Sequence, residues 1–137
     1  MKIKLIKFKN YLKAPVRAHY NDSGADVFAT SDIVLEPHKV TVIPLGIGLE
    51  LPDGYDACIY CKSGLSNKGI MASNAPIDSG YRGEINAILA NITDNPFSFK
   101  RGEKVGQLVV RPVIYADFTE VVDENPRGSG AFGSTGN

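Results

Sequence analysis

The feature that most limits how this chain can fold is the shortness of its apolar runs. Strand-like stretches follow one another at close spacing from residue 1 to residue 113, each broken by turn residues. Lys2, Lys4 and Lys7 interleave with Ile3, Leu5, Ile6 and Phe8, which predicts a first strand with one wet face. Residues 10–23, with Pro15, predict a loop or a weak edge strand. Further strands are expected at 26–29, 33–35, 40–44, 46–51, 55–61, 70–71, 75–77, 84–91, 97–99 and 104–113. Residues 63–68 alone suit a helix, barely more than one turn. With 14 glycines and 8 prolines, this pattern predicts an all-β protein, a jelly-roll-like sandwich of many short strands with one very short helix. The sheet edges need cover, and packing against copies of the same chain is one solution. No internal repeat is visible. After Val122 the composition changes: Asp123-Glu124-Asn125-Pro126 leads into a Gly/Ser-rich run. The expected organisation is therefore one domain, residues 1–122, and a flexible C-terminal tail, residues 123–137.

At 137 residues one sizeable core is within reach. The formal net charge is zero, so no global field draws the protein to nucleic acid or to an anionic membrane. A polyanionic ligand must be held by local donors. No apolar run approaches membrane-spanning length. The opening residues read as a strand and not as a signal peptide. With two cysteines and no export signal, a reducing cytoplasm is the expected location. Cys58 and Cys61 form a C-x-x-C, yet they sit in a predicted strand, where residues three apart face opposite sides. No second cysteine pair exists and both histidines are remote, so zinc and redox roles are rejected.

Four polar constellations stand out. In Ala75-Pro76-Ile77-Asp78-Ser79-Gly80-Tyr81-Arg82-Gly83-Glu84, a turn between two strands predicts a β-hairpin holding a carboxylate and a ring three residues apart. Asp78 there suits a general base that activates water, or a residue that simply caps the turn. Lys62-Ser63-Gly64-Leu65 ends a strand and opens the short helix. Its free amides and the Ser63 hydroxyl suit a phosphate, or Ser63 is an ordinary N-cap. Asp26, after a glycine near a strand start, suits a metal-linked role or a solvated turn. Gln107, polar inside an apolar strand, needs a partner, which can be a cross-strand one. The tail adds Arg127, a charged fork for phosphate, and Phe132, a face on which a base could stack for roughly 1–3 kcal/mol. Glycines and serines around them let amides converge on phosphate oxygens. Its fifteen or so residues would reach roughly 50 Å when extended.

Taken in chain order, Ser23-Gly24-Ala25-Asp26-Val27, Lys62-Ser63-Gly64-Leu65, the Asp78–Tyr81 hairpin, residues 99–108 and residues 127–136 form five segments. Their order and spacing resemble the motif set of the trimeric dUTP pyrophosphatases (dUTPases), from about Asp22 to the last residue. The resemblance implies hydrolysis of dUTP to dUMP and pyrophosphate by water attack on the α-phosphorus, which would limit uracil entry into DNA and supply dUMP for thymidylate synthesis. It implies Asp78 as the base and Tyr81 pressed against the deoxyribose, leaving no room for a 2′-hydroxyl. Main-chain groups of Ala75 and Ile77, with Asn86 opposite, would bind the uracil edge and refuse a 5-methyl group. Pro76 could contribute only its carbonyl there, and Asn74 could add a side-chain contact. Lys62, Ser63, Gly64, Leu65 and Gln107 would bind the phosphates. Mg2+ would be the cofactor, held by Asp26 through water. Arg127 would act as an arginine finger, a contact worth about 10³–10⁵ in rate in GTPases. Phe132, Gly133 and Ser134 would close over the nucleotide. The resemblance further implies a homotrimer with active sites shared between subunits, and a regulatory protein partner is left open. Two positions depart from the family pattern: Lys62 replaces the usual arginine and Cys61 the usual proline. A dCTP deaminase shares the fold, and a silent, protein-binding relative is a rival of another class. The Asp78–Tyr81 and Arg127–Phe132 pairs favour the dUTPase reading.

Overall fold

The computed structural model describes residues 1–124. Among these residues ten strands form four small antiparallel sheets. Strand β1 (Lys4–Lys7) pairs with β5 (Ile47–Glu50), and β3 (Ile33–Leu35) pairs with β9 (Phe97–Phe99). Strand β10 (Lys104–Pro112) lies between β2 (Ala25–Phe28) and β6 (Tyr55–Tyr60). Strand β8 (Asn86–Asn91) lies between β4 (Lys39–Pro44) and β7 (Ile70–Ala72). The single described helix, α1 (Ser63–Ser66), has four residues. The all-β expectation holds, and no described helix is long and apolar enough to cross a membrane.

Period-two patterning explains how the sheets meet. Along β8 the side chains of Ala87, Leu89 and Asn91 are buried, while Asn86, Ile88 and Ala90 are only half-buried. The buried set meets Leu35, Ile43, Ile47, Ile70, Val27 and Val105 in one core. Asn91, the last residue of β8, is a buried polar residue whose side chain is fully occupied. Its amide donates to the carbonyls of Leu35 (2.9 Å) and Asn95 (2.7 Å), and its oxygen accepts from the N–H (3.0 Å) and hydroxyl (2.7 Å) of Thr93.

The expected hairpin is wider than its sequence suggests. Strands β7 and β8 pair from Ile70 opposite Asn91 to Ala72 opposite Leu89, and a last bond runs from Ser73 N to Ile88 O (2.8 Å). Beyond it the arms part. Residues 75–77 are not a strand: Ile77 makes only an isolated bridge to Ala57 of β6. Pro76 has no N–H to carry a ladder further. The other arm is bound elsewhere, with Ile85 N donating to Ile47 O (2.8 Å) and Leu45 N to Ile85 O (3.0 Å). Each arm thus leans on a different sheet, and strand β8 begins at Asn86, later than the expected residue 84.

Two apolar surfaces are left bare. Val40 and Val42 of β4 and Met71 of β7 are exposed on the outer side of their sheet. After β10, Val113 N still bonds to Gly54 O (2.8 Å), and the Tyr115 hydroxyl accepts from Gly54 N (2.8 Å). From there to residue 124 the chain is in no strand, and Ile114, Phe118, Val121 and Val122 are all at least 83% exposed.

Candidate active site

The predicted site residues fall into two separate places. The first is a cavity of about 220 Å³ inside the wide loop, lined by Ala75, Pro76, Ile77, Asp78, Tyr81, Glu84 and Asn86 among others. Tyr81 N donates to Asp78 O (3.1 Å), so the spacing of three is a turn that sets ring and carboxylate side by side. The backbone carbonyl of Asp78 holds this turn, not its side chain. Its carboxylate is exposed and takes no hydrogen bond from any described residue. Arg82 closes the turn by donating from Nη1 to Ser79 O (2.5 Å). The Tyr81 ring is fixed at its far end, where the hydroxyl donates to Glu84 O (2.7 Å). Asn74 is not among the residues lining this cavity; its carbonyl accepts from the Cys58 thiol (2.9 Å).

The second place is a groove of about 760 Å³ lined by Cys61, Lys62, Ser63, Ser66, Asn67 and Gln107. Gln107 stands in β10 with Asp26 opposite on β2 and Tyr60 opposite on β6, so one cross-strand row carries all three. Its amide donates to Cys61 O (3.1 Å). The cross-strand reading of Gln107 is therefore the one realised in the free protein. Asp26 is not a solvated turn residue: it is 5% exposed. Lys62 Nζ holds its Oδ1, and Lys104 Nζ lies 3.1 Å from its Oδ2. Burial pushes the Asp26 carboxyl up, but the two ammonium groups outweigh burial and hold it below the usual carboxylate range.

The N-cap of α1 is Lys62, and no side chain caps the helix, so Ser63 is not the N-cap. Leu65 N is taken by Lys62 O (2.9 Å). Gly64 and Leu65 do not line the groove, while Lys62 and Ser63 do. The two cysteines are unpaired, and their thiols donate to different carbonyls, Cys58 to Asn74 and Cys61 to Ile70 (3.0 Å). Arg127, Phe132, Gly133 and Ser134 lie outside the described residues.

The cavity and the groove share no lining residue. One holds the exposed carboxylate and a walled slot of nucleoside dimensions. The other holds one lysine, two serines, an asparagine and a glutamine, donors of the kind that a chain of phosphates requires. Among the described residues no group of three or more His, Cys, Asp or Glu is arranged to hold a metal ion.

Comparison with known proteins identifies the family. The family model described as dUTPase matches residues 10–136. The chain belongs to the dUTPase family. A protein named deoxyuridine 5'-triphosphate nucleotidohydrolase from Clostridium tetani (strain Massachusetts / E88) is 43% identical over 141 residues, covering 99% of this chain and 96% of its own. One of the same name from Helicobacter pylori (strain J99 / ATCC 700824) is 40% identical, with coverages of 99% and 97%. Among solved structures, the dUTPase of Staphylococcus bacteriophage 80alpha with dUPNHPP superposes with a TM-score of 0.86 at 26% identity, over 99% of both chains.

In the groove of this chain Lys62 is already bound to a carboxylate. Its single ammonium is spent on Asp26 in the free protein, and it offers no bidentate fork to a phosphate. Sequence reasoning missed Lys104, which shares the same carboxylate, and Glu84, whose side chain bonds to Asn10 and to Gly46. Neither has a local signal, since both partners are distant in the sequence.

Proposed function

We propose that this chain hydrolyses dUTP to dUMP and pyrophosphate, with the nucleoside in the cavity of the wide loop and the triphosphate along a groove of the Lys62–Gln107 type. The observation that carries this reading is the Asp78 carboxylate, unbonded among the described residues, at the side of a slot walled by Tyr81. A carboxylate without internal partners is free to accept a proton from water. That water attacks the α-phosphorus, its proton passes to Asp78, and the bond from the α-phosphorus to the bridging oxygen breaks to release pyrophosphate. Tyr81 stands where a ribose 2′-hydroxyl would have to fit. Main-chain groups of Ala75 and Ile77, with Asn86, take the uracil edge. Lys62, Ser63 and Gln107 offset charge on the phosphates.

Asp26 is the residue that would hold Mg2+, through water. A single carboxylate flanked by two lysines fits no protein-only cage, but it fits magnesium, which keeps its waters and takes substrate phosphates as ligands. When bound, the ion neutralises charge that develops on the triphosphate. Lys62 and Lys104 would then turn from Asp26 toward phosphate oxygens.

The active unit is a homotrimer whose sites are shared between subunits. Three features support this: the cavity and the groove share no lining residue on one chain, the β4–β8–β7 face carries exposed apolar side chains, and apolar residues from Ile114 to Val122 find no cover among the described residues. Residues 1–122 form the catalytic domain. Residues 123–137 form a lid that brings Arg127, Phe132, Gly133 and Ser134 onto a nucleotide, with Arg127 meeting the triphosphate.

The test is pyrophosphate release with magnesium, offering dUTP, dTTP, dCTP and UTP in parallel. Release from dUTP alone is expected. No release from any of the four, with the protein folded and trimeric, would overturn the reading, and ammonia release from dCTP would replace it with deamination.

A further inference from the structure

Three segments distant in sequence converge behind the Tyr81 ring. Glu84 Oε2 accepts from Gly46 N (2.8 Å) at the β4–β5 corner and from Asn10 Nδ2 (2.9 Å) in the N-terminal segment. The Asn10 amide also approaches Thr30 Oγ1 (3.4 Å), which itself donates to Pro44 O (3.0 Å). Phe8 N bonds to Gly46 O (3.0 Å), so the N-terminal segment and the corner are tied directly as well. The corner itself needs glycine: Gly46 has φ +70°, and a Cβ there would stand 2.9 Å from the Asn10 main chain.

On the other side of Glu84 sits the ring. Its hydroxyl donates to the carbonyl of the same Glu84 whose carboxylate is fixed to the corner. Gly83 lies under the ring, since a Cβ on it would be 2.5 Å from the Tyr81 hydroxyl oxygen. Ile85, the next residue, is laced to Leu45 and Ile47. The backbone at 83–85 is thus held from behind by side chains and from one end by a ladder, and it holds the tip of the ring in turn.

From this convergence we infer that Asn10 and Glu84 are specificity-determining positioning residues, which set how close the Tyr81 ring stands to the sugar. This inference rests on the proposed role of Tyr81 against the 2′-hydroxyl. Neither residue contacts the reacting atoms. Their effect passes through the Glu84 main chain to the Tyr81 hydroxyl, and shifts well under one ångström in a wall matter to a site that excludes one oxygen atom. Asn10 lies outside all five sequence segments, 74 residues from Glu84.

The experiment compares kcat/KM for dUTP and for UTP in the full-length protein, with melting temperature as a control for folding. Glu84→Ala and Asn10→Ala should each lower the dUTP:UTP ratio by about tenfold, at the lower end of what steric exclusion supplies. Most of the loss should appear as a gain on UTP. Tyr81→Phe, which removes the bond to Glu84 O and keeps the ring, should act in the same direction. Glu84→Gln retains an oxygen that can accept both N–H groups and should restore the ratio to within about twofold. If Tyr81→Ala lowers the ratio while Asn10→Ala and Glu84→Ala, both folded, leave it as in wild type, the strut proposal is overturned and the role of Tyr81 stands. If Tyr81→Ala also leaves the ratio unchanged, the two fall together. Should Glu84→Ala fail to fold, Asn10→Ala and Tyr81→Phe decide between the same outcomes.

Discussion

Lys104 places its ammonium 3.1 Å from one oxygen of Asp26, and Lys62 occupies the other. The carboxylate is nearly sealed, with 7% of its side chain exposed, whereas the Lys62 and Lys104 side chains are 32% and 54% exposed. Such a triad is asymmetric. Either lysine alone leaves Asp26 with one cation, and the half-exposed Lys104 is well screened by water. Lys104→Met should therefore cost only about 1 kcal/mol. The double variant Lys62→Met/Lys104→Met leaves a buried charge with no cation and should cost about 3–5 kcal/mol. Urea titrations of the two single variants and the double variant check this. A double-variant loss no larger than the sum of the singles would show that the lysines do not share one carboxylate.

The same triad predicts a pH dependence. The folded pKa of Asp26 lies below its ordinary value of 3.8. The group therefore contributes stability that is fully present above that value and is lost as pH falls through the lower, folded pKa. The melting temperature should decline as pH is taken below about 4. Asp22, held down chiefly by its bond from His19 N, shares the sign, so part of the slope will persist when Asp26 is removed. Asp26→Asn should flatten the remainder. An unchanged slope in that variant would mean that Asp26 does not titrate as a paired carboxylate.

Local signals in the sequence account for most of the elements. The apolar run at 84–91 marked β8, the runs at 33–35 and 97–99 marked β3 and β9, and α1 is the single short helix expected after Cys61. What local pattern could not carry is pairing. Residues 75–77 read as a strand because Ile77 is apolar and extended, yet its partner is Ala57 on β6 and not the strand opposite. The residues of the loop cavity were legible because they sit within a few positions of Asp78. Lys104 on Asp26 and Asn10 on Glu84 were not, since each contact joins parts of the chain that only the finished fold brings together. Ser63 was legible as a site residue but not in its role, because a cap depends on where the helix starts, and it starts one residue earlier than a Ser63 cap requires.

Gly24 meets Gln107 so closely that no side chain fits between them. A Cβ at position 24 would stand 2.4 Å from Gln107 Oε1 and 2.9 Å from its Cβ. The glutamine amide could swing aside, but its Cβ is fixed to β10. Gly24→Ala should therefore push Gln107 off the Cys61 carbonyl and cost about 1–3 kcal/mol of stability, as overpacking does. Because Gln107 lines the groove, KM for dUTP should rise as well. Chemical denaturation and steady-state kinetics on the one variant check both effects. A variant as stable and as active as wild type would show that β2 and β10 can separate without consequence.

Asp78→Asn separates chemistry from structure most sharply. The turn that carries Asp78 is held by its carbonyl and by Arg82, neither of which the exchange disturbs. The carboxylate itself is exposed and unbonded among the described residues, so its loss should change stability by no more than about 0.5 kcal/mol. Asparagine keeps the size and removes the basicity. The rate of pyrophosphate release from dUTP should then fall by about 10²–10⁴, with an unchanged melting temperature and little change in affinity for a non-hydrolysable dUTP analogue. A folded Asp78→Asn enzyme that retains wild-type kcat would move the base elsewhere, and the exposed Asp78 would then serve only the turn.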